Sequence, residues 1–181
     1  AEKSTYEETA FLLLTGELPP PDELTKFTKQ INVRRDLPSG MIDLLKALPK
    51  ESNPMDVIQL AVSSLGTFYP VTFDAEDLKA KKYTKDYYIE VSAGILGSIG
   101  SIVAAWNRIK NNKDYIKPDS NLSYADNFMH MLDDSIEVTP LISRIIDATL
   151  ILHAEHTINA STFTSMVTSS TLASPTQVIA S

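Results

Sequence analysis

His153-Ala154-Glu155-His156 sets two imidazoles three residues apart with a carboxylate between them. Imidazole titrates near neutral pH and ligates borderline metals, so the run suits either proton transfer or half of a metal site. The sequence carries no further ligand cluster, and no metal is expected. Asn159-Ala160-Ser161-Thr162-Phe163-Thr164 follows directly. Amide and hydroxyl groups behind a histidine pair form the floor of a polar pocket, which points to a small polar ligand. The plainer reading is a pair of histidines satisfied at a helix end. There is no cysteine, so thiolate chemistry and disulfides are excluded. Gly94-x-x-Gly97-x-x-Gly100 has the wrong spacing for a phosphate loop and no strand before it.

The elements that must carry this segment are helices. Thr139-Pro140 opens a helix to about His153, with Leu141, Ile145, Ala148 and Leu152 on one face. A bend around 158–160 leads into a Ser/Thr-rich helix over 161–172, where Phe163 and Val167 keep a helical interval. Ser174-Pro175 starts another. Upstream, Ser4-Thr5 with Glu7-Glu8 reads as overlapping capping boxes, and Gly16 ends the helix they open. Further helices are expected over 22–33 (Leu24, Phe27 and Ile31 on one face), 39–48, and 53–68 (Val57, Leu60, Ala61 and Leu65 apolar). A short charged helix behind Asp74 falls within 72–82, and Ser123 caps one over 124–132. Period-two alternation appears nowhere. The class is all-α, with about nine helices.

Residues 85–110 form the longest element. Ile89 to Trp106 is almost wholly apolar, contains Glu90, and is short of the ~20 residues of a membrane span, so a core helix is expected. Ala93, Gly97, Ser101 and Ala105 recur every fourth residue. An internal glycine costs about 1 kcal/mol against alanine in a helix. Such a ridge therefore predicts close approach of another backbone, and is assigned to a homodimer interface formed with the 53–68 helix. The chain has 181 residues, 43% hydrophobic and 22% charged, with net charge −7. That is globular composition, and its acidity disfavours nucleic acid or anionic membrane as partners. The start, Ala1-Glu2-Lys3-Ser4, is polar and unlike a secretory signal.

The run from His153-Ala154-Glu155-His156 to Asn159-Ala160-Ser161-Thr162-Phe163-Thr164 resembles the citrate synthase family, in its prokaryotic-type citrate/methylcitrate branch. The resemblance covers essentially the whole chain. It includes Ser4-Thr5-Tyr6-Glu7-Glu8, Gly16-Glu17-Leu18-Pro19, Pro54-Met55-Asp56-Val57, Ala61 to Gly66, Ile102 to Ala105, and Asn121 to Phe128, in order and at matching spacing.

This resemblance implies the amino-terminal part of a large helical domain, covering 1–181, with the small domain and both ends of the family's chain outside it. It implies an acyltransferase of the tricarboxylic acid cycle, cytoplasmic and homodimeric, that condenses acetyl-CoA with oxaloacetate and water. No cofactor is implied, since the coenzyme A thioester is a substrate. His156 matches the position that contacts oxaloacetate, His153 its neighbour, and Asn159 and Ser161 match positions lining the site. The family's enol-stabilising histidine, catalytic aspartate and binding arginines match nothing here, so the 181-residue piece alone is expected to be inactive. Arg34, Arg35, Arg108 and Arg144 do not match those arginines. Thr157 stands where Glu is common, Ser174 and Thr176 where Asp and Tyr are usual, and Asn53 where His is frequent. The alternatives are 2-methylcitrate synthase, using propionyl-CoA, and a noncatalytic helical interaction module.

Overall fold

Helices begin where side chains can satisfy the first free N–H groups. A computed structural model describes residues 3–70, 84–155 and 157–181. The helix expected over 72–82, with Asp74, and residue His156 lie outside the described residues. Among the described residues there are nine helices and no strand. They are α1 (Tyr6–Thr15), α2 (Pro21–Val33), α3 (Ser39–Ala47), α4 (Pro54–Phe68), α5 (Lys85–Lys110), α6 (Tyr124–Leu132), α7 (Pro140–His153), α8 (Ala160–Ser169) and α9 (Pro175–Ala180).

Of the two capping boxes possible at α1, Thr5/Glu8 forms: Thr5 Oγ1 accepts from Glu8 N, and Thr5 N donates to Glu8 Oε2 at 2.9 Å. Glu7 is thereby left free to work elsewhere in the fold. Gly16 closes α1 in the left-handed region, φ 86°, its N–H bonded to the Leu12 carbonyl. Asn53, Thr84, Ser123, Thr139 and Asn159 accept from the first-turn amides of α4, α5, α6, α7 and α8.

Helix α5 is the axle. One apolar cluster joins its C-terminal half (Ile102, Ala105, Trp106, Ile109) to α3 and α4 through Met41, Leu45, Val57, Ala61 and Leu65. A second joins its N-terminal half at Ala93 to Phe11 of α1, Phe27 and Ile31 of α2, and Tyr124 of α6. By length and composition α5 could cross a membrane, but here it packs against α2, α4 and α6 within the chain. In α4 the inward positions are Val57, Ala61, Val62 and Leu65. Leu60, also apolar, is 43% exposed because it lies off that stripe.

The small-residue ridge corrects one expectation. Ala93, Ser101 and Ala105 are fully buried inside the chain, and a Cβ on Gly97 would overlap the carbonyl oxygen of Ile31. The close approach exists, but its partner backbone is α2 of the same chain rather than a second subunit. Ser101 Oγ meanwhile donates to the Gly97 carbonyl at 3.4 Å, next to Met131 of α6.

Helices α7 and α8 bury no residue. The face of α7 expected from periodicity is not covered within these 181 residues: Leu141, Ile145 and Leu152 are exposed, as are Phe163 and Val167 of α8. α7 leans on α1 and α6, and α9 on α4, α5 and α8.

Candidate functional site

Thr139 accepts from Ile142 N and starts α7, which runs fourteen residues to His153. His153 is the last helical residue and is exposed. Its Nδ1 lies 2.8 Å from the Thr149 carbonyl oxygen. A carbonyl only accepts, so Nδ1 carries the hydrogen and Nε2 is left to bind or take a proton. The turn that follows is tight: Glu155 Oε1 accepts the Thr157 N–H, and Thr157 sits at φ 77°. A β-branched residue in the left-handed region is a genuine outlier, and such strain persists only where the surroundings hold it.

Asn159 ends the bend. Its Oδ1 accepts from Thr162 N at 2.8 Å and from Thr162 Oγ1 at 3.1 Å. A residue expected to line a pocket is therefore also the N-cap of α8. Ser161 follows in the first turn of α8 and is exposed. His153, Asn159 and Ser161 thus share one bend, with the C-terminal end of α7 on one side and the N-terminal end of α8 on the other. Ala154, in the same bend, lines an open apolar groove of about 600 Å³ shared with Leu13, Leu14, Ile95, Ile99 and Val178. Among the described residues no group of three or more His, Asp or Glu could hold a metal.

The arginines are engaged structurally. Arg34 lies 3.7 Å over the Tyr69 ring, and Arg108 donates to Asp134 at 2.9 Å, holding that carboxyl below its ordinary value. Arg35 is 2% exposed and donates to the Leu122 carbonyl at 3.2 Å. Burial pushes its guanidinium below the usual value, while Glu7 and Tyr124 push the other way.

The residues that tie this bend to the core escape a reading by motif. Asp147 Oδ1 accepts the Tyr6 N–H at 2.8 Å, and Asp147 Oδ2 accepts from Arg144 Nη1 at 2.8 Å. The same Arg144 Nη1 donates to the Ser4 carbonyl at 3.0 Å. Glu7, buried, accepts the Tyr124 N–H at 2.9 Å, and the Tyr6 and Tyr124 rings lie 4.9 Å apart. Burial first, then Glu7, raises the Tyr6 hydroxyl above its ordinary value. The available signal was an opposite-charge pair at i, i+3, Arg144 and Asp147, on a mostly apolar helix.

A family model described as "Citrate synthase, C-terminal domain" matches residues 1–181. A citrate synthase of Acidithiobacillus ferridurans is 39% identical over 180 residues, 99% of this chain and 45% of its own. 2-Methylcitrate synthase 1 of Corynebacterium glutamicum is 35% identical over 174 residues, 94% of this chain and 44% of its own. The crystal structure of citrate synthase from Pyrobaculum aerophilum superposes with a TM-score of 0.86 at 30% identity, covering 99% of this chain and 44% of that one. The chain spans less than half the length of each of these relatives, and it belongs to the citrate synthase family.

Proposed function

We propose that the protein carrying this chain is a citrate synthase, and that these residues are the amino-terminal part of its large helical domain. The reaction joins the acyl methyl carbon of acetyl-CoA to the ketone carbon of oxaloacetate and then hydrolyses the thioester, giving citrate and free coenzyme A. The observation that carries this is agreement of fold along 99% of the chain with a citrate synthase at 30% identity.

The bend supplies what such a reaction needs. A developing enolate beside a dicarboxylate requires donors and positive potential already in place. The first-turn amides of α8 and the His153 imidazole at the end of α7 are of that kind. In this reading His156 donates to the oxaloacetate carbonyl, while His153, Asn159 and Ser161 line the site. The protein acts as a cytoplasmic homodimer without a cofactor. Support for a subunit contact comes from Met55, Leu60 and Ile179, apolar and exposed on α4 and α9, and not from the ridge on α5.

The test is a coupled assay on the full-length protein, following free thiol released from acetyl-CoA in the presence of oxaloacetate, with citrate identified by mass. Thiol release that does not depend on oxaloacetate refutes the reading. The 35% identity to a 2-methylcitrate synthase favours a second reading, propionyl-CoA as the acyl donor. One methylene is worth about 1–3 kcal/mol of discrimination, so the ratio of kcat/KM for the two thioesters separates them. The 181-residue piece by itself is expected to release no thiol above background.

A further inference from the structure

Helix α7 carries the bend, and within these 181 residues its apolar packing is limited to partly buried side chains such as Leu150, which meets the cluster of α1, α2 and α5. None of its residues is fully buried, and among the described helices before it, it rests chiefly on α1 and α6. A helix resting on a surface by one partly exposed face can slide and rotate, because apolar contact is not directional. Directional contacts must set its register. They come from two side chains of α7 that grip the start of α1 on both sides of its cap. Asp147 takes the N–H of Tyr6, one of the amides at a helix start that have no partner within the helix. Arg144 takes the carbonyl of Ser4 and is itself tied to Asp147. The Asp147 side chain is 13% exposed, so its bond to the Tyr6 N–H is largely shielded from competing water, while Arg144 is 39% exposed.

The start of α1 is in turn anchored to the core. Glu7 accepts the N–H of Tyr124 at the head of α6, and Phe11 packs edge-on against Phe27 at 5.5 Å. A rigid path therefore runs from the core through the first turn of α1 to Asp147, and from there along α7 to His153.

We propose that Asp147, together with Arg144, is a positioning residue: it sets the register of α7 and so the place of the 153–161 bend in the site. Neither side chain touches substrate in this account, which rests on the citrate synthase reading for its kinetic consequence.

The test uses the full-length protein and Asp147→Glu, which keeps the charge and both acceptors but lengthens the side chain by one carbon–carbon bond, about 1.5 Å. A displacement of about 1 Å at a reacting centre can cost as much as a hundredfold. The expected result is a KM for oxaloacetate raised about tenfold, with the KM for the thioester within about twofold. The melting temperature should stay within about 4 °C of wild type. Hydrogen exchange provides a readout independent of activity. Amides of residues 148–164 should exchange several-fold faster in the variant, with α2 to α5 unchanged. Arg144→Lys should repeat both effects more weakly, and it serves if Asp147→Glu fails to fold. Unchanged exchange in 148–164 overturns the proposal. So does exchange that rises across the whole chain, or two KM values that rise together with a falling melting temperature. If wild type makes no citrate, the functional reading fails on that result, and the exchange experiment still decides the role of Asp147.

Discussion

Gly97 of α5 and Ile31 of α2 are in backbone contact: a Cβ on Gly97 would overlap the Ile31 carbonyl oxygen, with the Arg34 side chain close beside it. The obstacle is backbone in the middle of a packed helix, which cannot swing aside as a flexible side chain would. Gly97→Ala should therefore push α2 from α5 and destabilise the chain by about 1–3 kcal/mol, although alanine is the better helix former. Urea unfolding measures the loss. Sedimentation of the full-length variant should show an unchanged subunit number wherever the protein remains folded, since the ridge faces its own chain. A Gly97→Ala protein that dissociates while keeping its unfolding midpoint would return the ridge to a subunit contact.

Much of this architecture can be read directly from the residues. Thr5, Asn53, Ser123 and Thr139 start helices where their side chains predict, because a cap is a local bond between neighbours. Gly16 ends α1 because only the left-handed region closes that turn at no steric cost. What spacing cannot reveal is which surface a face meets. The ridge on α5 announces a close backbone, yet nothing in its period separates α2 from another subunit. The α7 stripe of Leu141, Ile145 and Leu152 announces an apolar face, yet not that it is open here. For the site, the bend and its donors are legible in 153–164, but the Asn159 side chain turns out to cap α8. The grip of Asp147 on α1 is invisible, since Tyr6 is distant in sequence and its amide carries no signature.

Glu7 is buried and accepts the Tyr124 N–H, with the buried Arg35 near enough for its charge to be felt. Glu7→Gln keeps the shape and one acceptor but removes the carboxylate charge that acts on Arg35 there. A hydrogen bond to a charged partner contributes about 1.5–3 kcal/mol, and the variant should lose that order of stability in denaturant unfolding. Adding Arg35→Met to Glu7→Gln should recover part of the loss, because it removes the charge left without compensation. Equal instability of the single and double variants would mean that the two side chains act independently.

Tyr115 gives the alkaline limb of stability a definite slope. Its hydroxyl accepts from Leu37 N, and burial pushes it up from 10.0 to about 12. The folded form therefore holds this proton more tightly than the unfolded chain. Stability from this source is fully present below about pH 10 and is lost as pH rises toward 12. Tyr115→Phe should flatten the fall in unfolding free energy between those limits while leaving the neutral-pH melting curve little changed. An equally steep alkaline limb in the variant would assign the effect to Tyr6 and Tyr124, both also raised by burial.

His156→Ala in the full-length protein should raise KM for oxaloacetate and lower kcat together, because a donor to the carbonyl acts on both the bound substrate and the transition state. Steady-state kinetics with oxaloacetate varied at saturating thioester measures both. Unchanged constants would remove His156 from the site and leave His153 as the imidazole of this bend.

Thr157 carries the strain of the bend. At φ 77° it lies where a β-branched residue is disfavoured, its side chain is exposed, and its N–H is taken by Glu155. Such a conformation costs about 1–3 kcal/mol. Glycine would remove that strain, against about 0.5–1 kcal/mol of extra chain freedom in the unfolded state. Thr157→Gly should therefore be neutral or slightly stabilising. Its effect on the site should run the other way. A bend able to leave the left-handed conformation is less preorganised, and ordering it on binding draws on substrate affinity. We expect the melting temperature to hold or rise by a few degrees while KM for oxaloacetate increases about two- to fivefold. Thr157→Asn, which tolerates the left-handed region better than threonine, should fall between the two. A Thr157→Gly protein that melts well below wild type would show that the threonine side chain makes a stabilising contact. One with unchanged KM would show that the bend is held by its flanking helices and needs no strained residue to keep its shape.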